Sequence, residues 1–98
     1  MSIIIDPEGN EINALRRLAN WRGANVLEVG CGDGRLTLRL ARLGAHVVAF
    51  DPKPSLIRNA RRNLPRQFVK QIKYYNDSAV KLKHPAESRD VVVFAWSL

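Results

Sequence analysis

Apolar residues recur along this chain at two spacings, and together they predict short strands that alternate with helices. In three segments leucine, isoleucine and alanine return every three or four residues, which is the spacing of one helix face: residues 12–19, 35–43 and 55–63. Four other segments are short and rich in apolar and aromatic residues, as buried strands are: residues 26–29, 45–50, 72–76 and 90–96. Strands that alternate with helices in this way form a parallel sheet with right-handed crossovers.

Local signals set the limits of these elements. Asp6-Pro7-Glu8 has the composition of a helix entry, with a capping residue followed by proline and an acid. This first helix is expected to end by Trp21-Arg22-Gly23, and Gly44 closes the second helix. Residues 78–89 predict no helix, because Pro85 interrupts them.

The first predicted strand runs into three glycines at alternate positions, Gly30, Gly32 and Gly34, and a helix follows at once. Glycine allows a positive φ and a close approach of backbone to ligand, and a helix start offers unpaired N–H groups. A P-loop is excluded, because Arg35-Leu36 follows Gly34 where lysine and serine or threonine would be needed. The dinucleotide fingerprint fails because its third glycine would stand at Arg35. The pattern therefore predicts a different kind of small-molecule cradle.

Two acids beside these glycines indicate the charge of the ligand. A pyrophosphate would be repelled by Glu28 and Asp33, whereas a cation would be attracted. S-adenosylmethionine carries a sulfonium and an ammonium group. The segment Glu28-Val-Gly-Cys-Gly-Asp-Gly34 resembles motif I of the class I S-adenosylmethionine-dependent methyltransferases, and the resemblance extends from about residue 11 to residue 98.

The resemblance implies an α/β, Rossmann-like fold with a parallel sheet of about four strands in the spatial order third, second, first, fourth (3-2-1-4). The family's sheet normally has seven strands, so residues 1–98 are expected to form a single methyltransferase domain of the three-layer type that is incomplete at its C-terminus. Helices would lie mainly on one face. The other face would expose apolar residues, and the fourth strand would be an open edge. We expect a homo-oligomer, or the remainder of a longer chain, to cover them.

The resemblance also assigns a cofactor site. Asp51 would accept both ribose hydroxyls, although an acid there could instead cap the next helix. Asp77 would accept the adenine amino group and the Ser78 N–H would reach a ring nitrogen, although Asn-Asp-Ser also favours a turn. Glu28 is expected in a solvated position near the methionine ammonium group, since burying an unpaired charge is costly. The residues expected around the cofactor are Glu28, Gly30, Cys31, Gly32, Asp33, Gly34, Asp51, Pro52, Leu56, Asp77, Ser78 and Ala95.

Three of the nearby side chains have interpretations of their own. Asp33 either assists Glu28 or caps the helix that begins at Arg35. Cys31 is interpreted as a small spacer in the loop. Trp96 either walls the methionine pocket or covers exposed core.

The chemistry implied is transfer of a methyl group from S-adenosylmethionine to an unidentified acceptor, which leaves S-adenosylhomocysteine. The protein would mainly align donor and acceptor, and a general base is needed only if the acceptor must lose a proton. No catalytic residue and no metal ligand is assigned. The alternatives are a non-catalytic module that binds S-adenosylmethionine and a basic interaction protein on a degenerate methyltransferase fold.

Composition narrows the setting of this chemistry. The formal net charge is +7, so nucleic acid or an acidic partner is an alternative, but no RNA-binding motif supports it. A single cysteine, Cys31, cannot form an internal disulfide, which favours a reducing, cytoplasmic location. No segment approaches the roughly 20 apolar residues that cross a bilayer, and residues 1–6 lack the basic start of a secretory signal.

Overall fold

The fold is a parallel sheet with three helices, seen in a computed structural model that describes residues 2–5, 12–77 and 90–95. The elements follow one another as strand β1 (Ser2–Ile5), helix α1 (Ile12–Leu18), strand β2 (Asn25–Val29), helix α2 (Arg35–Arg42), strand β3 (His46–Asp51), helix α3 (Pro54–Arg62), a 3-10 turn (Arg66–Phe68), strand β4 (Ile72–Asn76) and strand β5 (Val91–Ala95). Expectations for residues 6–8 and 78–89, and for Trp96, lie outside the described residues.

The order across the sheet is β1-β5-β2-β3-β4, and all four pairings between neighbours are parallel. The strands β2 to β5 are the four that the sequence predicts, and their order confirms the 3-2-1-4 arrangement. A further strand, β1, covers the edge of β5, so the expectation that the fourth predicted strand is an open edge is wrong. β1 pairs with β5 from Ser2↔Val92 to Ile5↔Ala95, because its three consecutive isoleucines have the β-branched side chains that favour an extended backbone.

All three helices pack on one face of the sheet. The main core joins Leu15 of α1, Leu36 and Leu40 of α2 and Ile57 of α3 to one set of strand side chains. Those strand residues alternate along the chain, as one face of a strand requires: Val26, Val47, Ala49, Ile72, Tyr74, Val91 and Val93. The leucines of α2 therefore face the sheet, as their helical spacing predicts.

The opposite face of the sheet is less exposed than the sequence predicts. Leu27, Phe50 and Val92 form a second buried cluster there, with exposed fractions of 4%, 1% and 6%. Val29 and Val48 pack against the cluster and are half-buried, since large apolar side chains on neighbouring strands shield one another. On β5, Phe94 remains 39% exposed. The expectation of a bare face is thus wrong at the centre of the sheet and correct at Phe94.

Helix boundaries agree with the sequence to within a few residues. α1 ends at Leu18 rather than near Trp21, because the indole N–H of Trp21 donates to the Leu15 carbonyl at 2.6 Å and folds the chain back over the helix end. In the described part of the chain, no helix has the length and apolar character needed to cross a membrane.

Candidate functional site: a glycine cradle at the carboxyl edge of the sheet

The carboxyl ends of the strands bring the predicted site residues to one edge of the sheet. Gly30 follows the end of β2, Asp51 is the last residue of β3, and Asp77 follows β4. Asp51 is in register with Asn76, and Val29 with both Phe50 and Phe94. The carboxyl ends of β2, β3, β4 and β5 are thus level. The topological switch point between the neighbouring strands β2 and β5 lies at this edge, and open α/β sheets bind their ligands at such a point.

The glycine loop has the backbone that its composition predicts. Gly30, Gly32 and Gly34 have φ of 78°, 57° and 93°, a region that other residues enter only at a cost. The N–H groups of Gly30 and Cys31 both donate to the Phe50 carbonyl, at 2.9 and 3.1 Å, and the Gly34 N–H donates to the Cys31 carbonyl at 3.0 Å. The loop is therefore fixed to the neighbouring strand before any ligand arrives.

Asp51 ties this loop to the start of α3. Its side chain is 8% exposed. One carboxylate oxygen accepts the Gly32 N–H at 3.1 Å and the other accepts the Lys53 N–H at 2.9 Å. The capping residue of α3 is Lys53, so the alternative that Asp51 serves as the helix cap is wrong. Its carboxylate instead bridges two segments of the candidate site.

Glu28 is buried, not solvated as the sequence predicts. It lies in the middle of β2 with 0% exposure, on the face that α2 covers. Its Oε1 accepts the Thr37 hydroxyl at 2.5 Å, while its Oε2 has no hydrogen-bond partner among the described residues. Loss of water raises the pKa of Glu28 to about 7; the Thr37 hydrogen bond opposes this rise and the charge of Asp51 adds to it. The alternation of side chains in β2 requires this inward position.

Thr37 and Tyr74 complete a polar network that sequence reasoning missed. Thr37 is 0% exposed on α2, and Tyr74 of β4 is 6% exposed. Burial raises the pKa of the Tyr74 hydroxyl, and Thr37 opposes this rise through its hydroxyl, so the two side chains belong to one buried polar group with Glu28. The available signal was a threonine beside the leucine stripe of α2, together with an acid in β2 that needed a partner.

Tyr74 also explains the third glycine of the loop. A Cβ placed on Gly34 would collide with the Tyr74 hydroxyl oxygen. A Cβ on Gly32, in contrast, would meet nothing within 4 Å. Gly34 therefore lets the loop settle on the polar network, whereas Gly32 borders open space that a ligand can enter.

The remaining loop side chains have structural positions. Cys31 is buried in the core cluster at 6% exposure. Burial, and then the charges of Glu28, Asp51 and Asp33, raise the pKa of its thiol, so it stays protonated and is no nucleophile. Asp33 is 45% exposed; its Oδ1 lies 3.4 Å from both the backbone N and the Nε of Arg35. The capping residue of α2 is Gly34, so Asp33 contacts the first turn from outside the helix.

The other expected residues are only partly located. The Asp77 N–H donates to the Asp51 carbonyl at 3.1 Å, which holds Asp77 at the edge beside Asp51. Pro52 is exposed and Leu56 is half-buried at the start of α3, and the backbone of Ala95 ends β5. Ser78 lies outside the described residues.

The fold and the cradle together define an α/β protein whose glycine loop lies at the carboxyl edge of a parallel sheet. Residues 26–98 match the family model for the methyltransferase domain. The chain belongs to this family, as the resemblance of its glycine motif predicts.

Relatives and solved structures agree with this assignment. Over 91 residues the chain is 33% identical to the ubiquinone biosynthesis O-methyltransferase of Azorhizobium caulinodans, a match that covers 93% of this chain and 34% of that protein. It is 62% identical over 50 residues to the protein of the same name from Xylella fastidiosa, covering 51% of this chain and 20% of that one. The structure of an S-adenosylmethionine dependent methyltransferase from Mesorhizobium loti matches with a TM-score of 0.74 and 26% identity, covering 93% of this chain and 42% of that chain. The alignments thus span about a third or less of these curated relatives.

Proposed function

We propose that this chain binds S-adenosylmethionine at the carboxyl edge of its sheet and supplies the cofactor-binding part of a methyltransferase. The observation that carries the proposal is the hydrogen bond of 3.1 Å between the Asp51 carboxylate and the Gly32 N–H. It joins the acid after β3 to the glycine loop after β2, so that the two sequence features of the motif form one preorganised cradle. Membership of the methyltransferase-domain family supports the same reading.

The cradle fits the parts of this cofactor. The open space at Gly32 admits a ligand against the backbone. Asp51 would accept the ribose hydroxyls, since each of its oxygens accepts one backbone N–H and has a second lone pair. Asp77, with Ser78, would hold the adenine, and Pro52 and Leu56 would flank it. Ala95 would border the methionine end.

Glu28 would favour the positive charge of the cofactor from beneath the loop. The unpartnered Oε2 is a buried acceptor without a proton donor among the described residues, and such a group is stabilised by a nearby cation. Asp33 lies at the rim of the same loop and would add a second negative charge.

When bound, S-adenosylmethionine supplies an electrophilic methyl group on its sulfonium. The residues of this chain would hold the cofactor and fix its orientation, and alignment of this kind lowers the barrier of a two-reactant displacement. We place no general base. The acceptor is unidentified; because the relatives from Azorhizobium and Xylella are named O-methyltransferases, compounds that carry a hydroxyl group are the first acceptors to test.

Calorimetric titration with S-adenosylhomocysteine tests the cofactor site. Asp51→Asn replaces one acceptor oxygen with an amide that meets a backbone N–H, so we expect at least a tenfold loss of affinity, about the worth of one charged hydrogen bond. Asp90→Asn is the matched control. The Asp90 carboxylate also accepts a backbone N–H, that of Asn25 at 2.8 Å, but it does not lie in the glycine loop. An affinity that Asp51→Asn leaves unchanged, or that both variants reduce equally, would contradict the proposal.

Methyl transfer is a separate question from binding. If the protein binds S-adenosylhomocysteine but moves no labelled methyl group to hydroxyl compounds, proteins or RNA, the non-catalytic module is the correct alternative. If neither S-adenosylmethionine nor S-adenosylhomocysteine binds to the folded protein, the basic interaction protein is favoured.

We also propose that further protein covers the sheet around Phe94, either a second copy or additional sequence of the kind the longer relatives have. Pairing through β5 is not available for this, since β1 occupies that edge. Light scattering should give a mass above that of one chain, and Phe94→Asn should lower it. A monomer that binds no hydrophobic dye would exclude self-association.

A further inference from the structure

A basic groove lies at the edge of the sheet opposite the glycine cradle. It has a volume of about 740 Å³ and is lined by residues 16–22 and 42–43. The lining segments precede β2 and β3 along the chain, so the groove is at the amino ends of these parallel strands. It shares no residue with the candidate cofactor site.

Four arginines give the groove its charge: Arg16, Arg17, Arg22 and Arg42. All four are exposed, and in the described parts of the chain no carboxylate pairs with any of them. Among the described residues, none of those that line the groove is acidic. Because four exposed arginines line one surface without a carboxylate among its described lining residues, the groove favours an anion.

Helix electrostatics explain only part of this cluster. Arg16 and Arg17 stand in the last turn of α1 and Arg42 in the last turn of α2, where a cation stabilises the helix dipole. Arg22 belongs to neither helix. It is held by a close approach to the next loop, since a Cβ on Gly44 would lie 3.0 Å from the Arg22 Cα. The Gly23 N–H also donates to the Gly44 carbonyl at 2.9 Å, so Arg22 is fixed beside the helix ends.

The floor of the groove is apolar. Leu18 is 43% exposed and Leu43 is half-buried, and both line the groove. Beneath them Trp21 is 2% exposed and anchored by its hydrogen bond to Leu15. The groove therefore combines arginine side chains with an apolar surface that is formed before a ligand binds.

We propose that this groove binds an organic phosphate, with the arginines on the phosphate and Leu18 and Leu43 beneath its carbon part. The planar guanidinium fork matches phosphate oxygens in pairs. A volume of about 740 Å³ suits one small molecule or one headgroup. The proposal does not rest on cofactor binding at the other edge of the sheet.

Titration with phenyl phosphate tests the proposal, with inorganic phosphate alongside. Phenyl phosphate should bind more tightly, because only it reaches the leucine floor. Arg22→Gln/Arg42→Gln should weaken its binding at least tenfold. The matched control is Arg58→Gln/Arg62→Gln, which removes the same charge from exposed positions of α3 and should change affinity less than threefold. Circular dichroism would establish that both variants fold.

Two further arms identify the source of the phosphate and could overturn the proposal. Binding to vesicles of phosphatidylglycerol but not phosphatidylcholine, lost in the groove variant, would assign the phosphate to a lipid headgroup. Retained binding of phenyl phosphate alone would assign it to a soluble ligand. Equal losses in the groove and α3 variants, or competition by S-adenosylhomocysteine, would overturn the proposal. So would binding of single-stranded RNA with no response to phenyl phosphate.

Discussion

Glu28 is a charged side chain placed where water does not reach it, and its ionisation couples the stability of the fold to pH. Burial raises its pKa from 4.5 to about 7. Between these values the folded protein holds a proton on Glu28 that the unfolded chain has lost. The free energy of unfolding therefore falls as pH rises through this window, and the full cost is present above it.

We expect Glu28→Gln to remove this dependence. The amide keeps an oxygen for the Thr37 hydroxyl and carries no charge, so the variant should be more stable than the parent at pH 8 by up to about 3 kcal/mol, and no more stable near pH 4.5. Chemical denaturation at several pH values measures the difference. A pH profile of Glu28→Gln that runs parallel to that of the parent would contradict the account.

Gly32 and Gly34 differ in the neighbours that a Cβ would meet. Substitution of each glycine by alanine should therefore distinguish their roles. Both substitutions place a side chain at positive φ, at a cost of about 1–2 kcal/mol. Gly34→Ala adds the collision with the Tyr74 hydroxyl, so it should lower the melting temperature further than Gly32→Ala does. Gly32→Ala should instead reduce affinity for S-adenosylhomocysteine more than it reduces stability.

Tyr74→Phe provides the control for the collision. It removes the hydroxyl oxygen with which a Cβ on Gly34 would collide, so Gly34→Ala should cost less stability in the Tyr74→Phe background than in the parent. A double-mutant cycle measures this coupling. Additive effects would mean that backbone strain alone explains the glycine.

At the scale of elements, the pattern of apolar residues was sufficient to predict a helix or strand where that element buries one face. α2 and β4 have the predicted start, and the carboxyl edge collects Gly30, Asp51 and Asp77 as the strand order requires. β1 was missed because its four residues have no local partner; its pairing with β5, some ninety residues away, is a long-range contact. The position of Glu28 was misjudged for a similar reason, since its partner Thr37 lies on another element.

Removing β1 should leave β5 with the open edge that the sequence predicts for it. Without residues 2–5, the backbone groups of β5 along that edge would be unpaired, and an open edge of apolar residues associates with other chains. We expect a lower unfolding midpoint and a larger mass by light scattering. A truncated chain whose mass by light scattering and unfolding midpoint both equal those of the parent would contradict the role given to β1.

Across the whole molecule, the two edges of the sheet differ in the sign of the charge that predominates. The carboxyl edge has Asp33, Asp51 and Asp77 beside Arg35 and Lys53, whereas the amino edge has the four groove arginines and Asp90. The net charge of +7 does not reveal this difference. A cationic cofactor and an anionic phosphate would each meet a surface of opposite sign, and neither surface would serve for the other ligand.

The separation of the edges predicts that the two ligands bind independently. A strand of five residues, such as β2, spans roughly 16 Å at 3.3 Å per residue, which is about twice the Debye length of 8 Å at physiological ionic strength. Saturating phenyl phosphate should therefore change the affinity for S-adenosylhomocysteine by less than twofold at 0.15 M salt. A titration with S-adenosylmethionine, whose sulfonium gives it a net positive charge, in 0.01 M salt, where the Debye length is about 30 Å, should show stronger mutual binding with the anionic phosphate. A large coupling at high salt would require a conformational link between the edges, and β2, which connects the groove segment to the glycine loop, would be the element to carry it.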